Sequence, residues 1–224
     1  MTIAAEHPAL ALPAARWTGH GVVLDGRTDI VIEGYPRSAN GFAVAAFSLA
    51  QPRPVRVAHH THAPAHVIAA VRRGVPALVL ARDPDDAVAE WVGVKPFLSA
   101  RQALRAYVRF YEPLLPYRDR FVVGTFDQVN ADFGSVIHRV NERFGTRFRE
   151  FQHTEESLRK AAEEIERSRR GRAGAGLPLV GRMESRPLSA ADPARGGVRQ
   201  AYSAEILAEL RTRARGLFLL MESS

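Results

Sequence analysis

The stretch GYPRSANGF, residues 34–42, separates a short β-branched run at residues 30–32 from a longer apolar run at residues 42–50. The first run is typical of a buried strand and the second of a helix. A short turn from strand to helix leaves backbone N–H groups without partners at the start of the helix, and with the helix dipole they attract phosphate-like anions. The stretch therefore predicts a phosphate-binding loop, although a plain strand-turn-helix connection has the same pattern.

The alternation of strand and helix signals continues from there to about residue 150. We predict strands at residues 30–32, 55–57, 77–80 and 121–123, and helices at residues 42–50, 65–73, 84–92, 100–115 and 131–144. Such alternation with short links predicts an α/β fold, a mostly parallel central sheet flanked by helices on both faces. Ligands of such folds bind at the carboxyl ends of the strands, where residues 34–42 are expected to lie.

Length and composition bound the other possibilities. The 224 residues, 46% hydrophobic and 25% charged, fit one globular domain. We expect an irregular leader at residues 1–28, a single domain at residues 29–224 and a mobile lid at about residues 171–197, within a long Gly-, Pro- and Arg-rich segment. Cysteine is absent, which excludes thiol chemistry and disulfides. No membrane span or signal peptide is predicted, so we expect a cytoplasmic protein.

The net charge of +7 is carried almost wholly by arginine, which favours anionic ligands. A nucleic-acid partner is not expected, because no basic stripe, recognition helix or aromatic stacking platform stands out. The densest basic cluster, residues 167–172, follows three glutamates and also fits a solvated helix end.

The lysine and the hydroxyl of a nucleoside-triphosphate loop are not present in residues 34–42 at the spacing that such a loop requires. The PRSANGF string instead resembles the 5′-phosphosulfate-binding loop of sulfotransferases, usually Tyr-Pro-Lys/Arg-Ser-Gly-Thr-Thr-Trp. The resemblance implies the sulfotransferase type of P-loop fold, with Arg37 acting on the donor in catalysis. It also implies donor contacts from the following loop residues: Ser38, Ala39, Asn40, Gly41 and Phe42.

A histidine-rich segment, HHTHAP at residues 59–64, follows the second predicted strand. It looks like the Lys-Thr-His-Leu-Pro segment of sulfotransferases, which implies that His62 is the catalytic base and that His60 takes the place of the lysine. A neutral imidazole can accept the proton of an attacking hydroxyl. A transition-metal site and a purely structural role are the alternatives, but the spacing suits no helical pair and no nearby carboxylate completes a ligand set.

The third predicted strand runs into RDPDDAVAEW at residues 82–91, which matches the family pattern Arg-Asn/Asp-Pro-x-Asp-x-x-x-Ser. The pattern implies that Arg82 holds the 3′-phosphate of the donor. Helix capping alone explains the acidic residues after it. The family serine is Glu90 here, and a carboxylate beside a phosphate would repel it. Either Glu90 faces elsewhere or other groups hold that phosphate.

A last segment, residues 169–174, is similar to the late Arg-Lys-Gly-x-x-Gly donor segment and implies that Arg170 and Gly171 contact the donor. The resemblance covers roughly residues 29–150. It implies an enzyme that transfers a sulfuryl group from 3′-phosphoadenosine-5′-phosphosulfate to a hydroxyl or amine of a small molecule, sugar or lipid, with no metal. A P-loop kinase or other nucleotide-binding protein, and a non-catalytic donor-binding homologue, are the alternatives. The sequence carries no signature of the acceptor or of oligomeric state.

Overall fold

The computed structural model describes residues 7–9, 11–12, 21–95, 97–174, 202–203 and 205–223. Within these ranges a parallel four-stranded sheet has the order β2-β1-β3-β4. The strands are β1 (Ile30–Gly34), β2 (Val57–His59), β3 (Ala77–Ala81) and β4 (Val122–Thr125). The helices are α1 (Asn40–Ala50), α2 (Pro64–Arg73), α3 (Pro84–Val94), α4 (Ala100–Tyr111), α5 (Phe126–Ala131), α6 (Phe133–Phe144), α7 (Glu155–Gly174) and α8 (Ala208–Glu222).

Helices cover both faces of the sheet, as the sequence predicts. The chain crosses the sheet in one direction from β1 to β2 and in the other from β2 to β3. Because strand-helix-strand connections are right-handed, this reversal sends α1 and α2 to opposite faces. Accordingly Ile32 packs in one apolar cluster with Phe47 of α1, whereas Val31 packs in the other with Val67 of α2. The α/β architecture is confirmed.

The reversal also positions the site. Neighbouring strands β1 and β3 are followed by chain segments that leave toward opposite faces, which opens a crevice at their carboxyl ends. The loop after β1 is residues 35–39, the predicted phosphate loop, and the segment after β3 begins with Arg82. The topology therefore brings two of the segments singled out in the sequence to one crevice.

Several predicted element boundaries were wrong. Strand β2 begins at Val57, not at residue 55, because Val57 pairs with Ile30, the first residue of β1. Helix α4 ends at Tyr111 and continues as a 3-10 helix to Arg120, since Pro113 lacks the N–H that an α-helix needs. The helix predicted at residues 131–144 is broken at Asp132, whose side chain accepts from the N–H of Ser135 and caps α6.

The predicted leader and lid meet the described structure only in part. Residues 21–28 contact the domain: Val22 forms an antiparallel bridge with His59, and Leu24 is fully buried. Helix α7 extends to Gly174, so residues 171–174 of the predicted lid are helical, and residues 175–197 lie outside the described residues. Across the described helices, none is both long and apolar enough to cross a membrane.

Candidate functional site

The loop after β1 has a left-handed backbone at two positions that are not glycine. Arg37 has φ 72° and Ala39 has φ 66°, a region that residues with a Cβ adopt at a cost. The loop is held by two bonds to one carbonyl oxygen, since Tyr35 O accepts from the N–H of Ser38 at 3.2 Å and from Asn40 Nδ2 at 3.0 Å. These bonds fix a tight turn that leads directly into α1.

The start of α1 has no side-chain cap and no acidic residue in its first turn. By contrast Asp83 caps α3 and Ser99 caps α4. The first N–H groups of a helix have no partner within it, so the backbone at residues 40–42 presents donors and the positive end of a dipole. Such a helix start is suited to binding an anion.

The predicted loop residues differ in what they offer. The N–H of Ser38 already donates within the loop, and its side chain is fully buried. Asn40 is buried too, and its Oδ1 accepts no hydrogen bond from the described residues. Phe42 packs its ring against Phe133 and Phe151. Contacts of Ala39, Gly41 and the rest of the loop with a donor stay predictions, and the backbone is the part suited to them.

Arg37 and Arg82 meet in the crevice through one carboxylate. Glu90 Oε1 accepts from Arg37 Nε at 2.7 Å and from Arg37 Nη2, and Glu90 Oε2 accepts from Arg82 Nη1 at 2.5 Å. The side chains of Arg37, Arg82 and Glu90 are 9%, 8% and 4% exposed. The hypothesis that Glu90 faces elsewhere is wrong. One carboxylate between two guanidinium groups leaves the cluster with a net charge of +1.

Arg82 is held from several sides. Its Nη1 also donates to the carbonyl oxygen of Arg37 at 2.9 Å, and its guanidinium carbon lies 3.9 Å from the centre of the Phe126 ring. The hydroxyl of Tyr107 donates to the carbonyl oxygen of Arg82 at 2.7 Å. The side chain is therefore fixed at the end of β3 with its charge directed to the loop after β1.

The histidine-rich segment between β2 and α2 also has a left-handed backbone, with φ 60° at His60 and φ 49° at His62. His62 Nδ1 lies 2.8 Å from the carbonyl oxygen of Gly34. A carbonyl oxygen only accepts, so Nδ1 carries the proton, and Nε2 of the neutral ring is the acceptor. The ring is thereby oriented at the carboxyl end of β1, with the tautomer that a general base requires.

Glu33, the residue before Gly34 in β1, is fully buried beneath this segment. Its Oε1 accepts from the N–H of Thr61 at 2.7 Å, from Thr61 Oγ1 at 2.8 Å and from His66 Nδ1 at 2.8 Å. Its Oε2 accepts from the N–H of His62 at 3.2 Å. Burial works to raise the pKa of Glu33, but the hydrogen bond from His66, the positive charge of the His66 and His62 rings once they are protonated, and the Thr61 N–H outweigh it and lower the pKa to about 2.

The sequence interpretation missed Glu33, whose carboxylate lies beside the histidine-rich segment. An acidic residue inside an otherwise apolar strand was the available signal, because a buried carboxylate needs several donors close by. His59 Nδ1 and His60 Nδ1 are 2.5 Å apart. Over the described ranges, no group of three or more histidine, aspartate and glutamate side chains is arranged to hold a metal ion.

Arg170 and Gly171 both belong to α7, so Gly171, which the sequence placed at the start of the lid, is helical. Arg170 Nε pairs with Glu166 Oε1 at 3.2 Å, one turn earlier on the exposed surface of the helix. This is the charged helix end that the sequence offered as the alternative. The described contacts do not bring Arg170 to the crevice, so its contact with a donor stays a prediction.

Comparison with known proteins gives little at the level of sequence. No protein-family model matches the chain, and no curated protein matches it. Among solved structures it is similar to a crystal structure of a mouse sulfotransferase complexed with PAP. The two chains are 10% identical, and the match covers 70% of this chain and 68% of that one at a TM-score of 0.42. The assignment of an activity to this chain therefore rests on its own residues.

Proposed function

We propose that this protein is a sulfotransferase that uses 3′-phosphoadenosine-5′-phosphosulfate as its donor. The observation that carries the proposal is the meeting of Arg37 and Arg82 in the crevice between β1 and β3, beside the uncapped start of α1. Helix N–H groups and arginine side chains both bind phosphate without a metal. At the spacing that a nucleoside-triphosphate site requires, the loop has neither the lysine for the terminal phosphates nor the hydroxyl for magnesium.

His62 supplies the proton acceptor in this proposal. The acceptor oxygen or nitrogen attacks sulfur in line with the bridging oxygen of the donor, and the new bond to sulfur forms as the bond between sulfur and that oxygen breaks. The proton of the acceptor goes to His62 Nε2, the unprotonated nitrogen of the ring held by Gly34. The electron pair of the broken bond stays on the phosphate of adenosine 3′,5′-bisphosphate.

Arg37 and the backbone N–H groups at the start of α1 stabilise the charge on that departing phosphate. A guanidinium has a pKa above about 12 and does not give up its proton, so Arg37 acts by charge and hydrogen bonds. Arg82 binds the 3′-phosphate. Positioning and charge stabilisation supply most of the rate in the related phosphoryl transfers. The acceptor belongs to the small molecules, sugars or lipids.

Glu90 favours a second candidate, a nucleotide-binding protein without sulfuryl transfer. Because Glu90 neutralises one of the two arginine charges, a dianionic 3′-phosphate meets a cluster of charge +1. The Glu90 carboxylate itself repels that phosphate, whereas it can accept a hydrogen bond from the 3′-hydroxyl of a nucleotide without a 3′-phosphate. The two candidates differ in whether the 3′-phosphate strengthens binding.

Calorimetric titration of the protein with adenosine 3′,5′-bisphosphate, ADP and AMP separates them. The sulfotransferase proposal expects the bisphosphate to bind at least about 10-fold more tightly than AMP, which is about 1.4 kcal/mol. Arg37→Ala and Arg82→Ala should each weaken that binding. Arg149→Ala, at an exposed position whose backbone contacts Gln51, is the matched control and should not. A preference for ADP would refute sulfuryl transfer and support the second candidate.

A further inference from the structure

The buried pair Glu33 and His66 is not used in the mechanism above, although it lies directly beneath His62. Both side chains are fully buried. The N–H of Leu24 donates to His66 Nε2 at 2.9 Å, so the proton of the neutral His66 ring is on Nδ1, which faces Glu33. His66 is therefore a donor to a carboxylate that the lowered pKa keeps ionised.

Among the described residues, the donors to Glu33 come from one short stretch of chain, residues 61–66. Two of them are the successive backbone N–H groups of Thr61 and His62. The residue before them, His60, and His62 itself have a left-handed backbone. A left-handed backbone in a residue with a Cβ costs about 1 kcal/mol and persists where surrounding bonds enforce it. The carboxylate supplies those bonds.

His62 is thus held to β1 at both ends, by its backbone N–H on Glu33 and by its ring on the next residue, Gly34. If the carboxylate is lost, the segment is released, the contact of Nδ1 with Gly34 O is lost, and both neutral tautomers become accessible. Only the tautomer with the proton on Nδ1 leaves Nε2 free to accept a proton.

We propose that Glu33 is the positioning residue for His62, and that its carboxylate fixes the backbone of residues 61–62 and thereby the tautomer of the His62 ring. The catalytic meaning of this assignment rests on the proposed function, but the structural effect on the His62 ring does not. Glu33 touches neither donor nor acceptor, and Thr61 and His66 act with it.

The test is ring-nitrogen NMR of the histidines in ligand-free protein, for the wild type, Glu33→Gln and Thr61→Val. We expect the His62 ring of the wild type to carry its proton on Nδ1, and that of Glu33→Gln to populate both tautomers. Thr61→Val removes the hydroxyl donor to the carboxylate with little change of shape. If Glu33→Gln does not fold, Thr61→Val replaces it: both His62 tautomers should then be populated, and a wild-type tautomer would overturn the inference. Asn141→Ala is the control, because it also removes several hydrogen bonds, those to Thr146 and Phe148, but outside the histidine-rich segment.

Wild-type protein with the His62 proton on Nε2, or a Glu33→Gln protein that is folded and keeps the wild-type tautomer, would overturn the inference. So would an Asn141→Ala protein whose His62 ring changes as much. These readouts need no turnover, so they stand if sulfuryl transfer fails. Where turnover is measured, Glu33→Gln should lower kcat about 10-fold or more, with unchanged binding of adenosine 3′,5′-bisphosphate. Glu33→Asp, which keeps the charge, should restore part of kcat.

Discussion

Arg82 Nη1 donates to the carbonyl oxygen of Arg37 at 2.9 Å, which ties the end of β3 to the loop that follows β1. The same nitrogen donates to Glu90. Arg82 therefore supports the backbone of the neighbouring loop and also presents charge to the crevice. A carbonyl of a left-handed residue needs a partner in this buried place, and the guanidinium supplies it. The shape of the loop after β1 and part of the positive charge of the crevice therefore both depend on the Arg82 side chain.

Arg82→Lys should weaken the binding of adenosine 3′,5′-bisphosphate about 10-fold, because an ammonium group lacks the planar fork that serves two acceptors at once. Calorimetric titration measures the change. Arg72→Lys is the matched control, since Arg72 contacts Tyr117 on the exposed surface. Equal affinity of Arg82→Lys and wild type would contradict the role of the guanidinium geometry.

Glu90→Gln should bind the bisphosphate about 10-fold more tightly, because the charge of the cluster rises from +1 to +2. The same substitution should lower the free energy of unfolding by about 3–5 kcal/mol, since it breaks a buried ion pair. Titration at low and high salt and urea unfolding measure the two effects. Glu112→Gln removes the exposed partner of Arg213 and should change neither by much. Weaker binding by Glu90→Gln would show that Glu90 assists the ligand.

His62→Ala should leave the binding of the bisphosphate within about 2-fold of wild type and lower kcat by about 100-fold or more. The reason is that the ring contacts Gly34 O and not the arginine cluster. Single-turnover measurement with a responsive acceptor gives the rate, and calorimetry gives the affinity. His138→Ala, at an exposed histidine on α6, is the control. Near wild-type turnover in His62→Ala would assign the base elsewhere.

Stability in acid should depend on Glu33. Its pKa is about 2 in the folded protein against an ordinary value of 4.5, so its contribution is complete above about pH 4.5 and is lost as the pH falls toward 2. The loss amounts to about 3 kcal/mol. Urea unfolding of wild type and Glu33→Gln over this pH range measures it. The difference between the two proteins should shrink as the pH falls, and a constant difference would contradict an ionised Glu33.

The sequence was sufficient for the sheet and its layers, because the strands contain short apolar runs and some of the helices between them have a recognisable beginning. Asp83 and Pro84 at the start of α3 are such a signal, and the structure has that helix begin at Pro84. The errors lie where a local pattern competes with pairing or bonding. Val55 is β-branched, as strand residues often are, but the pairing of β1 with β2 begins only at Val57.

The site was predictable only as a set of separate segments. The sequence places Arg37 and Arg82 at the ends of two strands, but only the strand order makes those strands neighbours. Glu90 lies on α3, the helix that directly follows Arg82. That it bridges the two arginines depends on the direction of its side chain, and nothing local in the sequence specifies that direction. Glu33 stands out as an acid in an apolar strand, but its partners could not be identified from the sequence, since its donors lie 28–33 positions further along the chain.

The bridge between Val22 and His59 limits how far a recombinant chain can be shortened from its amino end. Truncation up to Asp29 would remove this bridge and the Leu24 N–H that His66 Nε2 accepts. His66 would then be free to move its proton to the other nitrogen and to turn from donor to acceptor toward a buried carboxylate. A protein trimmed to the edge of its first strand should thus behave like a point variant in the histidine segment, and expression trials should keep residues 21–28.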